Sequence, residues 1–85
     1  MPATLTRGEI AAIVIRYAAE QVAVEVGEVC EATRFVEDLN FDSLDMVDFV
    51  MRLEEEFDVS IPDETAERVK CVGEAVDLVL SHIRQ

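Results

Sequence analysis

Residues Asp38–Asp45, "DLNFDSLD", set three aspartates, an asparagine and a serine within eight positions. Three chemistries suit that pattern. The first is calcium binding: Asp38, Asn40 and Asp42 match the opening ligand positions of an EF-hand loop. The sixth position of that loop requires Gly for a sharp turn and the twelfth a bidentate Glu, but here they are Ser43 and Phe49. Two defining positions fail, which argues against a sensor EF-hand and leaves weak divalent-ion binding by the carboxylates open. The second chemistry is helix capping, the usual role of Asp or Ser before an apolar periodic run. The third is attachment: a hydroxyl at the start of a helix, exposed at the end of a loop, can be modified by another enzyme.

Self-activated catalysis has no support. Ser43 has neither a base nearby in sequence nor a Gly-rich elbow around it. The single histidine, His82, lies near the C-terminus, where its charge suits a helix end. Cys30 and Cys71 form no CxxC pair, so neither a zinc site nor a disulfide framework is expected. Acidic residues outnumber basic ones 19 to 7, for a net charge of −12. Such a chain repels nucleic acid and anionic membrane surfaces and attracts partners with basic patches. It has no apolar run long enough to insert stably in a membrane, and its start, "MPATLTRGEI", reads as neither a secretory signal nor a transit peptide. A cytoplasmic protein is expected.

The 85 residues suffice for one small domain, 1–85, and at 51% hydrophobic they can build a core without staples. Thr6-Arg7-Gly8-Glu9 has the form of a capping box, and Ile10, Ile13, Val14, Tyr17 and Ala18 follow at helical spacing. A first helix is predicted from about Arg7 to Gln21. Val22 to Val26 is β-branched, but one unpartnered strand is not viable, so it reads as helix end and loop. A long connection follows to about Asp42, its Phe35, Val36 and Leu39 expected to pack on the core, with Asn40 suited to a left-handed turn. Asp42 or Ser43 caps a second helix reaching about Asp58. A short helix spans about Glu64 to Val69. A last helix spans about Val72 to Ile83, with Val72, Val76, Val79, Leu80 and Ile83 on one face. The expected fold is all-α: a small four-helix bundle of three longer helices and one short.

At about 100° per residue, Met46, Val50, Leu53 and Phe57 fall on one narrow arc of the second helix and predict its core seam. Leu44, Val47 and Met51 fall on another, with Asp48 and Glu55 along one border and Glu54 along the other. A broad core face with solvated charges would produce this pattern. So would a docking strip, with apolar contacts for affinity and carboxylates to select a cationic partner. The pattern alone weighs these equally, and Ser43 at the head of the strip favours docking.

The stretch "FVEDLNFDSLDMVDFVMRLEEEFDVSIPDE", Phe35 to Glu64, closely resembles the acyl carrier proteins of dissociated fatty acid and polyketide synthesis. Asp42-Ser43-Leu44 matches that family's attachment motif, and the likeness extends more weakly over nearly the whole chain. The resemblance implies a non-catalytic protein whose Ser43, flanked by Asp42 and Leu44, carries 4′-phosphopantetheine transferred from coenzyme A by a holo-acyl-carrier-protein synthase or another phosphopantetheinyl transferase. Acyl groups would ride on the arm as thioesters. It implies a partner face of Asp42, Leu44, Asp45, Val47, Asp48, Met51, Glu54, Glu55, Asp63 and Glu67, met by acyltransferases, ketosynthases, reductases and dehydratases. It implies an acyl pocket lined by Phe35, Val50, Leu53, Ile61, Ala66 and Val69, its shape altered near Met46, and carboxylates Glu37, Asp42 and Asp45 able to hold a divalent cation weakly. A monomer is expected, because the docking face must stay open.

Some positions depart from the family. Asn40-Phe41 stands where Gly and a smaller apolar residue are usual. Met46 and Phe49 are bulkier than the commonest residues, and Cys71 stands where a Thr often caps the last helix. Cys30 has no counterpart role. These departures leave open a specialised carrier outside primary fatty acid synthesis. From a different class, an unmodified acidic adaptor docking basic partners through the second helix remains the alternative, with a divalent-ion-binding protein a third.

Overall fold

Thr6 opens the first helix in the predicted way. The structure, a computed structural model, describes residues 5–83; the ends of the domain expected over residues 1–85 lie outside them. The Thr6 hydroxyl accepts from the Glu9 N–H at 3.1 Å, and Glu9 Oε1 accepts from the Thr6 N–H at 2.8 Å. That reciprocal capping box starts α1, Arg7–Gln21. Ile10, Val14 and Ala18 are buried along it, joined by the small Ala11 and Ala19, while Ile13 and Tyr17 are only half-buried. Those alanines let neighbouring backbones approach. α1 packs chiefly on α4 (Val72–Ile83) and then on α2 (Ser43–Phe57). A five-residue helix, α3 (Asp63–Glu67), crosses between α2 and α4 in sequence. Four helices and no strand make up the described residues, with a single isolated bridge between Arg34 and Cys71.

α1 and α4 have the predicted bounds, whereas α3 begins one residue before and ends two before the predicted Glu64–Val69. The connection from α1 to α2 contains a 3₁₀ turn, Val26–Glu28, that was not predicted. The rest of the connection lies on the core, burying Val29, Phe35, Leu39 and Phe41. Val36, expected to pack inward, is instead 62% exposed. Asn40 adopts the predicted left-handed conformation at φ 60°.

The connection also caps α4. The Val72 N–H donates to the Thr33 carbonyl at 2.9 Å and the Gly73 N–H to the Glu31 carbonyl at 2.8 Å. The first-turn donors of a helix have no partner within it, and here loop carbonyls supply them. Cys71 therefore needs no hydroxyl to cap this helix. Gly73 suits the closeness of this contact: a Cβ there would lie 3.2 Å from the Glu31 carbonyl oxygen, tighter than an ordinary van der Waals approach.

The core seam of α2 differs from prediction. Phe49 and Leu53 are its buried residues, at 1% and 2% exposure, while Met46, Val50 and Phe57 are half-buried. The helix is turned so that Phe49 meets two rings of the connection. The Phe35, Phe41 and Phe49 centroids are 5.1, 5.2 and 5.7 Å apart, a closed triangle of tilted and edge-to-face contacts. Packing that triangle rotates Met46 and Val50 away from the centre and toward a surface cleft.

Candidate functional site: the start of helix α2 and the cleft beside it

Asp42, not Ser43, is the cap of α2. Its Oδ1 accepts from the Asp45 N–H at 2.8 Å, and Asp45 Oδ2 accepts from the Asp42 N–H at 3.1 Å. The pair forms a second capping box, in which both carboxylates also favour the positive end of the helix dipole. The Asp42 N–H, and after it the Gln21 side-chain amide, hold the Asp45 carboxyl below the usual carboxylate range. Ser43 occupies the first helical position, is exposed, and is left out of the cap.

The carboxylates around it do not assemble into a metal centre. Among the described residues no three acidic, histidine or cysteine side chains gather to hold an ion. Glu37, Asp42 and Asp45 are thus not brought together as a three-carboxylate group. Asp42 and Asp45 are engaged with each other's backbone. Asp38, the first position of the EF-hand-like run, accepts instead from the Arg34 N–H at 2.8 Å, and that bond holds its carboxyl below the usual range.

Leu44, Val47 and Met51 stand in the open, at 74%, 51% and 51% exposure. Asp48 and Glu55 border them and are exposed. Glu54, on the other border, is half-buried, and its Oε2 accepts from the Ile61 N–H at 2.7 Å. Glu54 therefore ties α2 to the segment entering α3 besides carrying charge. Asp63 and Glu67 are exposed on α3.

A cleft of about 710 Å³ opens beside this strip, between α2, α3 and residues 36–42. That volume falls within the range of small-molecule pockets. Ser43 and Asp42 stand at it, and Val47 and Met51 reach it from the strip. Five of the residues expected around an acyl chain line it: Met46, Val50, Ile61, Ala66 and Val69. Phe35 and Leu53 do not. They are buried in the core, at 0% and 2% exposure, and stand outside the cleft lining. Phe41 takes part instead, as do Val36, Glu37 and Lys70, the only lysine in the sequence. Val36 and Lys70 carry no sequence signal of this placement, because it depends on how the connection and α3 fold together.

Residues 9–85 match the acyl-carrier family. Among solved structures, an acyl carrier protein from Enterococcus faecalis is similar in fold and sequence, with a TM-score of 0.77 and 36% identity over 92% of this chain and 99% of that one.

Proposed function

The chain belongs to the acyl-carrier family, and from that premise we propose that it is a non-catalytic carrier domain whose Ser43 bears a 4′-phosphopantetheine arm. The observation that carries this reading is the separation of hydroxyl from cap: Asp42 starts the helix, so Ser43 is free to be esterified without disturbing α2. In the loading step the Ser43 oxygen forms a bond to the pantetheine-bearing phosphorus of coenzyme A. The phosphoanhydride bond breaks, adenosine 3′,5′-bisphosphate leaves, and the hydroxyl proton passes to a base on the transferase. The arm, once attached, supplies a thiol that carries acyl groups as thioesters.

The residues of the chain do the rest. Ser43 stands exposed in the first turn of α2, beside the Asp42–Asp45 cap and at the positive end of the helix dipole. Leu44, Val47 and Met51 give apolar contact to an enzyme, while Asp48, Glu55, Asp63 and Glu67 select one with a basic face. The partners are a phosphopantetheinyl transferase and then acyltransferases, ketosynthases, reductases and dehydratases of fatty acid or polyketide assembly. The cleft beside Ser43 takes the acyl chain between visits.

Intact mass after incubation with coenzyme A, magnesium and a phosphopantetheinyl transferase tests this. The chain gains one arm, and Ser43→Ala gains none while its stability stays within about 0.5 kcal/mol of the parent. No gain with any transferase would support the unmodified adaptor instead.

A further inference from the structure

We propose that Phe41 is the floor of the cleft and limits how much of an acyl chain it can hold, so that this carrier shelters short and medium aliphatic chains and leaves the far end of a long one in water. The proposal rests on the carrier reading and narrows its cargo. Phe41 is 4% exposed and yet lines the cleft, which places this residue where cleft meets core. Behind it stand Phe35 and Phe49, each ring within 5.7 Å of the other two. Leu53, also buried, completes an interior that contributes nothing to the cleft wall. A chain descending from Ser43 past Met46 and Val50 therefore meets an aromatic ring where the sequence suggested further lining.

The floor is also fixed in place. The Phe41 N–H donates to the Phe35 carbonyl at 2.9 Å, and the left-handed Asn40 sets the direction of the backbone just before it. On its other side, Asp42 is locked in the capping box. The wall differs: Met46 is half-buried and unbranched, a side chain that adapts to what lies against it. The cleft can thus widen at Met46 without deepening at Phe41.

The test uses the full chain loaded with butanoyl, octanoyl, dodecanoyl or hexadecanoyl arms. Resistance of the thioester to hydroxylamine should grow roughly fourfold for each methylene that leaves water, and then stop growing between dodecanoyl and hexadecanoyl. In the parent, the octanoyl terminal methyl should show nuclear Overhauser contacts to the Phe41 ring, and no chain should show them to Phe35 or Leu53. Phe41→Leu, which keeps the site apolar, should raise hexadecanoyl protection by at least about fourfold. Contacts from a chain terminus to Phe35 or Leu53 in the parent, or protection rising without limit, would overturn the floor while leaving the carrier intact. Failure to accept any arm would overturn the carrier reading, and the floor with it. The contacts are measured on the unaltered protein, so they decide the matter even if the variant folds poorly.

Discussion

Asp42 and Asp45 each satisfy the other's backbone N–H, and at the scale of the residue this exchange is what frees Ser43. Which of Asp42 and Ser43 would cap could not be read from sequence, because both residue types cap well and the choice turns on a backbone dihedral. Replacing Asp42 by Ala should destabilise the chain by roughly 1 kcal/mol. Asp45 titrates below its ordinary range in the folded chain, chiefly because the Asp42 N–H bonds its charged form. Its contribution to stability is therefore complete at neutral pH and is lost as pH falls through the folded-state value. The difference in stability between parent and Asp45→Asn should accordingly be largest near neutrality and close below about pH 4, as followed by urea melts across a pH series. The free thiol of Cys30 is likewise shifted downward, mainly by the hydrogen bond from the Thr33 hydroxyl.

Among the elements, those with local signals were legible and those held by distant backbone were not. The capping box at Thr6 and the apolar spacing after it locate α1, and the apolar run after Cys71 locates α4. The 3₁₀ turn at Val26–Glu28 has no such periodicity. A helical wheel correctly separated Leu44, Val47 and Met51 from the inward arc, but it could not say how far the helix is turned. The triangle of Phe35, Phe41 and Phe49 decides that, and two of its rings lie outside the helix. The start of α4 was equally hidden, since its caps are carbonyls from residues 31 and 33, about forty positions upstream. Gly73→Ala tests that junction. Helix propensity alone favours Ala by about 1 kcal/mol. The new Cβ, 3.2 Å from a carbonyl already held by hydrogen bonding, should cost more. A net loss on the order of 1 kcal/mol is expected in a denaturant melt, and a gain would show that the loop can yield.

Over the whole molecule, a net charge of −12 on a radius of gyration of 11.9 Å is a standing repulsion that the fold tolerates. Few cations offset it. Arg7 joins α1 to Glu31 of the connection and Asp77 of α4, and Arg52 reaches Glu20 across the α1–α2 contact while its guanidinium lies 4.1 Å from the Tyr17 ring centroid. Such exposed pairs contribute little each, so repulsion should dominate the response to salt. Raising ionic strength from about 0.01 M to about 0.15 M shortens the screening length from roughly 30 to 8 Å. The melting temperature should rise over that interval, and a fall would mean that the arginine pairs outweigh the self-repulsion. The acidity was plain in the sequence, but its arrangement around one cleft was not, because α3 and the connection bring Glu37, Asp63 and Glu67 to a common rim. Lys70 stands at that same rim as the only ε-amine of the sequence. Amine chemistry aimed at lysine side chains consequently has a single address, at the mouth of the cavity, and a fluorophore tethered there becomes a resident gauge of whether the space beneath it is wet or filled.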